Sequence, residues 1–273
     1  MNSKGGDLSI RDVSVVFDSV TALDRVSLDI QPGEAVALVG LSGAGKTTLL
    51  NTCNAMTWPT SGNISIDGKN LSSMTTNELK MARLRIGFVH QQLSLVPNLR
   101  VIQNVVIGRL GHRSLIGSAR DLLFPSREIT EHVYDILQSV GIPEKIYERT
   151  DQLSGGQQQR VAIARALFQD PNILLADEPV SSVDPARAEA TIALMKDICA
   201  SRGLTLCVSL HNLELAKAFF PRMVAMRNGR IIFDQPTDTL QSYEVKEIFS
   251  LVDESPASPP LSVQEDGLGG RFG

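Results

Sequence analysis

Two kinds of apolar pattern run along the chain. From Leu8 to Phe17, Ser27 to Ile30 and Asn63 to Asp67, apolar and polar residues alternate with period two, which predicts strands with one buried and one wet face. The last of these meets the turn pair Asp67-Gly68, so a small antiparallel sheet is expected near the N-terminus. Ala35 to Val39, Ile173 to Ala176 and Leu204 to Leu210 are instead short unbroken apolar runs, the pattern of strands covered on both faces of a parallel sheet. Helically spaced segments separate them. Between about Leu93 and Thr150 no such strand is visible, and Pro97, Pro125 and Pro143 punctuate a stretch that reads as mostly helical, hence as a subdomain inserted into the sheet. Near the end, VAMRNGRIIF sets Asn228-Gly229 between two apolar stretches, a hairpin signal. From Ser255 the sequence SPASPPLSVQEDGLGGRFG carries too few apolar residues to order itself. The expectation is an α/β fold: a short segment 1–7, one domain over 8–252 with a helical insert at about 93–165, and a disordered tail over 253–273.

One helix raises a chemical question. In LSGGQQQRVAIARAL, Ser154 and Gln157 form a capping box, and Val161, Ala164, Leu167 and Phe168 recur at helical spacing as a buried stripe. Gly155 and Gly156 either finish a loop or open a helix start whose bare N–H groups form an anion site. A phosphate nearby decides between them.

Composition narrows the classes. With 273 residues, 42% hydrophobic and 21% charged, the chain can bury one sizeable core and is neither fibrous nor wholly disordered. A net charge of −4 argues against a general nucleic-acid-binding surface, although Arg100, Arg109, Arg113, Arg120 and Arg127 make one region locally basic. Cys53, Cys199 and Cys207 are widely spaced, as expected of thiols packed as small apolar groups in a reducing compartment. MNSKGGDLSIRD lacks the apolar core of a signal peptide, and no run of about 18 apolar residues spans a bilayer. Any membrane link is expected to come through a partner.

The phosphate is called for at GLSGAGKTT. Gly40, Leu41, Ser42, Gly43, Ala44, Gly45, Lys46 and Thr47, followed by Thr48, fit the P-loop G-x-x-x-x-G-K-[ST] between a buried strand and a helix. The glycines let backbone N–H groups curve around phosphates, the Lys46 ammonium reaches the β- and γ-phosphates, and the Thr47 hydroxyl completes a Mg²⁺ shell. A P-loop nucleotide triphosphatase core follows. In ILLADEP the apolar run ends in Asp177 and Glu178, at the strand edge where α/β sheets hold ligands. Asp177 is expected to hold Mg²⁺ through its water shell, and Glu178 to polarise the water that attacks the γ-phosphate. TLCVSLH brings His211 to the same edge as a γ-phosphate contact.

Together these residues resemble the ATP-binding cassette ATPases. The P-loop at 40–47, LSGGQ at 153–157, the Asp177-Glu178 pair and His211 stand in that family's order, and the resemblance covers roughly residues 8–250. It implies a RecA-like core and three further sites. Gln91 in IGFVHQQ matches the glutamine that senses metal and attacking water; Gln92 competes for that role, and the spacing from Ile86-Gly87 favours Gln91. Asp184 in SSVD matches the loop that crosses to the partner subunit. Phe17 matches the aromatic that stacks on adenine, or else is a core residue ending its strand. The resemblance also implies a head-to-tail homodimer in which Ser154, Gly155, Gly156 and Gln157 of one chain close on the γ-phosphate held by the other's Lys46 loop. VVIGRLG, LLFPSRE, LADEPVSSVDP and SLHNLELA look most like the ATP-binding subunits of phosphonate importers, relatives of phosphite and phosphate importers. That likeness implies two membrane permease subunits, an extracytoplasmic solute-binding protein and a peripheral place on the cytoplasmic face of the inner membrane. The alternatives are a cassette serving an importer of another solute or an export or release complex, and, behind these, a soluble non-transport ATPase of the same family. Val183 where leucine is usual and the idiosyncratic NTCNAMTWP at 51–59 leave the transported compound in doubt.

Overall fold

A computed structural model describes residues 5–110, 115–181 and 183–240; the expected tail at 253–273 lies outside the described residues. The fold is α/β, built from two sheets and a helical layer. The first sheet, in order β2-β1-β4-β5, is antiparallel throughout and comprises β1 (Leu8–Phe17), β2 (Val20–Ile30), β4 (Ser61–Ile66) and β5 (Lys69–Asn70). Only the end of β2 was legible as a strand, because its pairing with β1 slips between Val13 and Val15 and again before Val16, each time with an extra residue on β2. Each slip breaks the strict alternation that marks a half-buried strand.

The second sheet, in order β10-β9-β3-β8-β7-β6, carries the core. Its strands β3 (Ala35–Val39), β6 (Ile86–Val89), β7 (Ile173–Asp177), β8 (Thr205–Leu210) and β9 (Arg222–Arg227) are parallel, and β10 (Arg230–Pro236) returns antiparallel to β9. The β9–β10 turn has Asn228 at φ 49° and Gly229 at φ 74°, the doubly left-handed turn whose twist suits a hairpin. Every residue of β6, β7 and β8 is buried, so the unbroken apolar runs mark strands covered on both faces. β6 escaped the sequence reading because it is only four residues long and contains Gly87. A Cβ there would lie 3.0 Å from the carbonyl oxygen of Ala166, so a helix packs directly on the strand's backbone.

Among the described residues four α-helices lie between β6 and β7: α3 (Val101–Ile107), α4 (Leu115–Leu123), α5 (Arg127–Ser139) and α6 (Gly155–Leu167). α6 departs from the single expected stripe. Every residue from Val161 to Leu167 is buried, because α3, α5 and β6 enclose the helix. The remaining α-helices among the described residues are α1 (Lys46–Cys53), α2 (Thr76–Leu84), α7 (Pro185–Arg202) and α8 (Leu213–Phe219). All three cysteines are free and buried, and burial pushes the Cys199 and Cys207 thiols up to about 12, so they pack as neutral groups. No helix among the described residues is long and apolar enough to cross a membrane.

Candidate active site

The C-terminal ends of β3, β6, β7 and β8 lie along one edge of the parallel sheet, the edge at which open α/β folds hold ligands. The loop Gly40–Gly45 joins β3 to α1. Gly45 caps α1 at φ 101° with no side-chain hydrogen bond, which leaves the first-turn N–H groups facing outward, as an anion requires. Two glycines are obligatory on steric grounds. A Cβ on Gly40 would lie 2.4 Å from the Met226 carbonyl oxygen, and one on Gly45 would lie 2.7 Å from that of Ala22. The turn of the β9–β10 hairpin closes the other side: Gly229 N donates to Ala44 O at 3.0 Å, while its own carbonyl accepts from Asp24 N at 2.8 Å.

Lys46 is only 4% exposed, yet its ammonium is well partnered. Nζ donates to the carbonyls of Gly40 at 2.8 Å and Leu41 at 3.0 Å and pairs with Glu178 Oε1 at 3.2 Å. A buried cation stays in place only when so satisfied. Glu178 immediately follows β7 and adopts φ 42°, a left-handed conformation that costs a non-glycine residue on the order of 1 kcal/mol or more. Its other carboxylate oxygen accepts from Gln91 Nε2 at 3.3 Å, and Gln91 stands just beyond β6. Asp177, the last residue of β7, accepts from Thr47 Oγ1 at 3.1 Å and from Ser209 Oγ at 2.7 Å.

Ser209 was not singled out in the sequence. It lies fully buried in β8, donates to Asp177, and accepts from the Glu178 backbone N–H at 2.8 Å, so it fixes both acidic residues at once. The available signal was a hydroxyl near the end of a mostly apolar strand, two residues before His211. A buried hydroxyl needs partners, and here the partners are the site.

The other candidates stand apart from this cluster. His211 is exposed just past β8 and lines a cavity of about 510 Å³ with Val183, Pro185 and Glu189. Asp184 caps α7, accepting from Arg187 N at 3.1 Å and pairing with the Arg187 guanidinium at 3.2 Å. Phe17 ends β1 opposite Val20 and is half exposed. Ser154 and Gln157 complete their capping box at the start of α6, with Ser154 N donating to Gln157 Oε1 at 2.9 Å. Nothing lies within 4 Å of where a Cβ on Gly155 or Gly156 would sit, so that helix start is an open surface.

The chain that carries these residues has known relatives. The ABC transporter family profile matches residues 23–181, more than half of the chain. The chain belongs to the ABC transporter family. The cassette is accordingly an ATP-binding ATPase. It is 45% identical, over 90% of its length, to a phosphonates import ATP-binding protein of Anaeromyxobacter dehalogenans, of which it spans 48%. A protein of the same description from Halalkalibacterium halodurans is 40% identical, with 89% of the cassette and 93% of the relative aligned. Among solved structures, a bacterial ABC transporter cassette determined as a dimer superposes with a TM-score of 0.74 at 31% identity, covering 84% of this chain and 98% of that one.

Proposed function

We propose that the cassette is the ATP-hydrolysing subunit of an importer for phosphonate or the related phosphite or phosphate. In this reading two copies face each other head to tail on the cytoplasmic side of the inner membrane, beneath two permease subunits fed by an extracytoplasmic solute-binding protein. The observation that carries the chemistry is the contact chain Gln91–Glu178–Lys46, flanked by Thr47–Asp177–Ser209, on one sheet edge. The names of its relatives support the transported compound, and the dimeric neighbour supports the assembly.

Each residue then has a task. The N–H groups of Gly40 to Thr48 cradle the phosphates, Lys46 neutralises the β- and γ-oxygens, and Phe17 stacks on the adenine. Glu178 takes the proton of the attacking water while Gln91 orients that water, and His211 contacts the γ-phosphate. The Ser154–Gln157 turn of the partner closes over the same phosphate, and Asp184 crosses the interface. The Thr47 hydroxyl and Asp177 carboxylate are hard oxygen donors held 3.1 Å apart, which fits Mg²⁺, an ion that takes few protein oxygens and keeps phosphate and water for the rest of its shell. Bound there beside Gln91, the ion would supply charge neutralisation at the β- and γ-oxygens.

Sharing of the sites between chains is testable by mixing variants. A Lys46→Ala chain and a Ser154→Arg chain are each expected to be inactive alone. Their heterodimer keeps one intact composite site and should recover partial ATPase activity. A mixture as inactive as either parent refutes the head-to-tail arrangement. For the compound, deletion should abolish growth on a phosphonate as sole phosphorus source; unimpaired growth rules that substrate out.

A further inference from the structure

α6 begins at the open Ser154–Gly156 turn and carries Arg165 about 16 Å further along, at 1.5 Å of rise per residue. The Arg165 side chain is buried, and burial lowers its affinity for the proton, yet it has no carboxylate partner among the described residues. Instead its two terminal nitrogens donate to the carbonyls of Ser94 and Leu93, each at 2.6 Å. These carbonyls belong to the irregular loop that follows β6, contains Gln91 and has Ser94 at φ 49°. A planar guanidinium bonded at two points fixes the orientation of a loop as well as its position, which the single ammonium of lysine cannot do.

α6 is also tied to the far side of the site. Gln159 is buried; its amide donates to the carbonyl of Pro179, the residue after Glu178, and its oxygen accepts from Thr191 Oγ1 at 3.4 Å. Packing leaves the helix no slack, since a Cβ on Gly108 of the neighbouring α3 end would lie 2.3 Å from the Arg165 carbonyl oxygen. Movement of the Ser154–Gly156 turn therefore reaches the Gln91 loop through a stiff rod.

We infer that Arg165 is a positioning residue that couples the two nucleotide sites of the dimer. It links Gln91, which serves its own chain's nucleotide, to the SGGQ turn, which serves the partner's. This rests on the dimer and the Gln91 role proposed above.

The test is a double-variant comparison of steady-state ATPase kinetics. Arg165→Met and Arg165→Lys are each expected to lower turnover at saturating ATP by roughly 10- to 100-fold, the usual effect of a misplaced catalytic group, with KM nearly unchanged. Adding either to Gln91→Ala should cause no further loss, because both changes act through one residue. Losses that multiply in the double variant overturn the coupling, as does full turnover in Arg165→Lys. If Arg165→Met does not fold, the lysine variant, which keeps the cation without the fork, carries the comparison. Unchanged turnover in Gln91→Ala alone would instead overturn the role given to Gln91.

Discussion

Replacing Ser209 with alanine removes one oxygen atom from near the C-terminal end of β8 and two hydrogen bonds with it. One runs to the Asp177 carboxylate at 2.7 Å and the other from the Glu178 amide at 2.8 Å. A bond to an ionised group is worth about 1.5–3 kcal/mol and a neutral one about 0.5–1.5, so the expected loss is roughly 2–4.5 kcal/mol with almost no change in packed volume. For a unit of this size each kcal/mol lowers Tm by about 2–4 °C, which places the fall on the order of 10 °C. Catalysis should suffer separately. Asp177 keeps the Thr47 hydroxyl, but the amide of Glu178, whose left-handed backbone that bond helps hold, loses its acceptor. Turnover is expected to drop by roughly 10-fold or more for a small displacement of the carboxylate. Thermal denaturation of the purified cassette and its ATPase rate measure the two effects. A Tm within about 2 °C of the parent together with unchanged turnover would refute the reasoning.

Glu178→Gln should slow hydrolysis by roughly 10²- to 10⁴-fold while ATP binding persists, and near-normal turnover would falsify the base assignment. Gly40→Ala should abolish nucleotide binding, because the added methyl meets the Met226 backbone 2.4 Å away, and retained affinity in a binding titration would contradict that geometry. Burial first, then the Arg109 guanidinium, holds the His132 imidazole below its ordinary value, so the folded state resists protonation more than the unfolded one. The stability this group contributes is present above about pH 6.5 and is lost as pH falls through its lower folded value. His132→Phe should therefore flatten the decline of Tm between neutral and mildly acidic pH, and an unaltered pH profile counts against it.

What the sequence disclosed follows from which forces act locally. Strands covered on both faces are apolar at most positions, so β3, β7 and β8 were legible as short runs, with Thr205 and Ser209 the exceptions in β8 and Asp177 ending β7. The Asn228-Gly229 turn was legible because few residue pairs tolerate two left-handed conformations. The start of β2 was not, since its slips in register depend on pairing with β1, and β6 was too short to show a period. At the site, the P-loop and the acidic pair announce themselves by residue type and spacing. Ser209 and Arg165 do not, because a single serine in a strand or arginine in a helix gains meaning only from the distant groups it meets.

β3 lies between β8 and β9, and the phosphate loop it carries is closed by Gly229. The strand that launches the loop is made well before both flanking strands and the closing turn. A nascent chain thus carries its nucleotide motif without the walls that shape it until β8, β9 and the turn after β9 have emerged, so the pocket's shape depends on contacts distant in sequence.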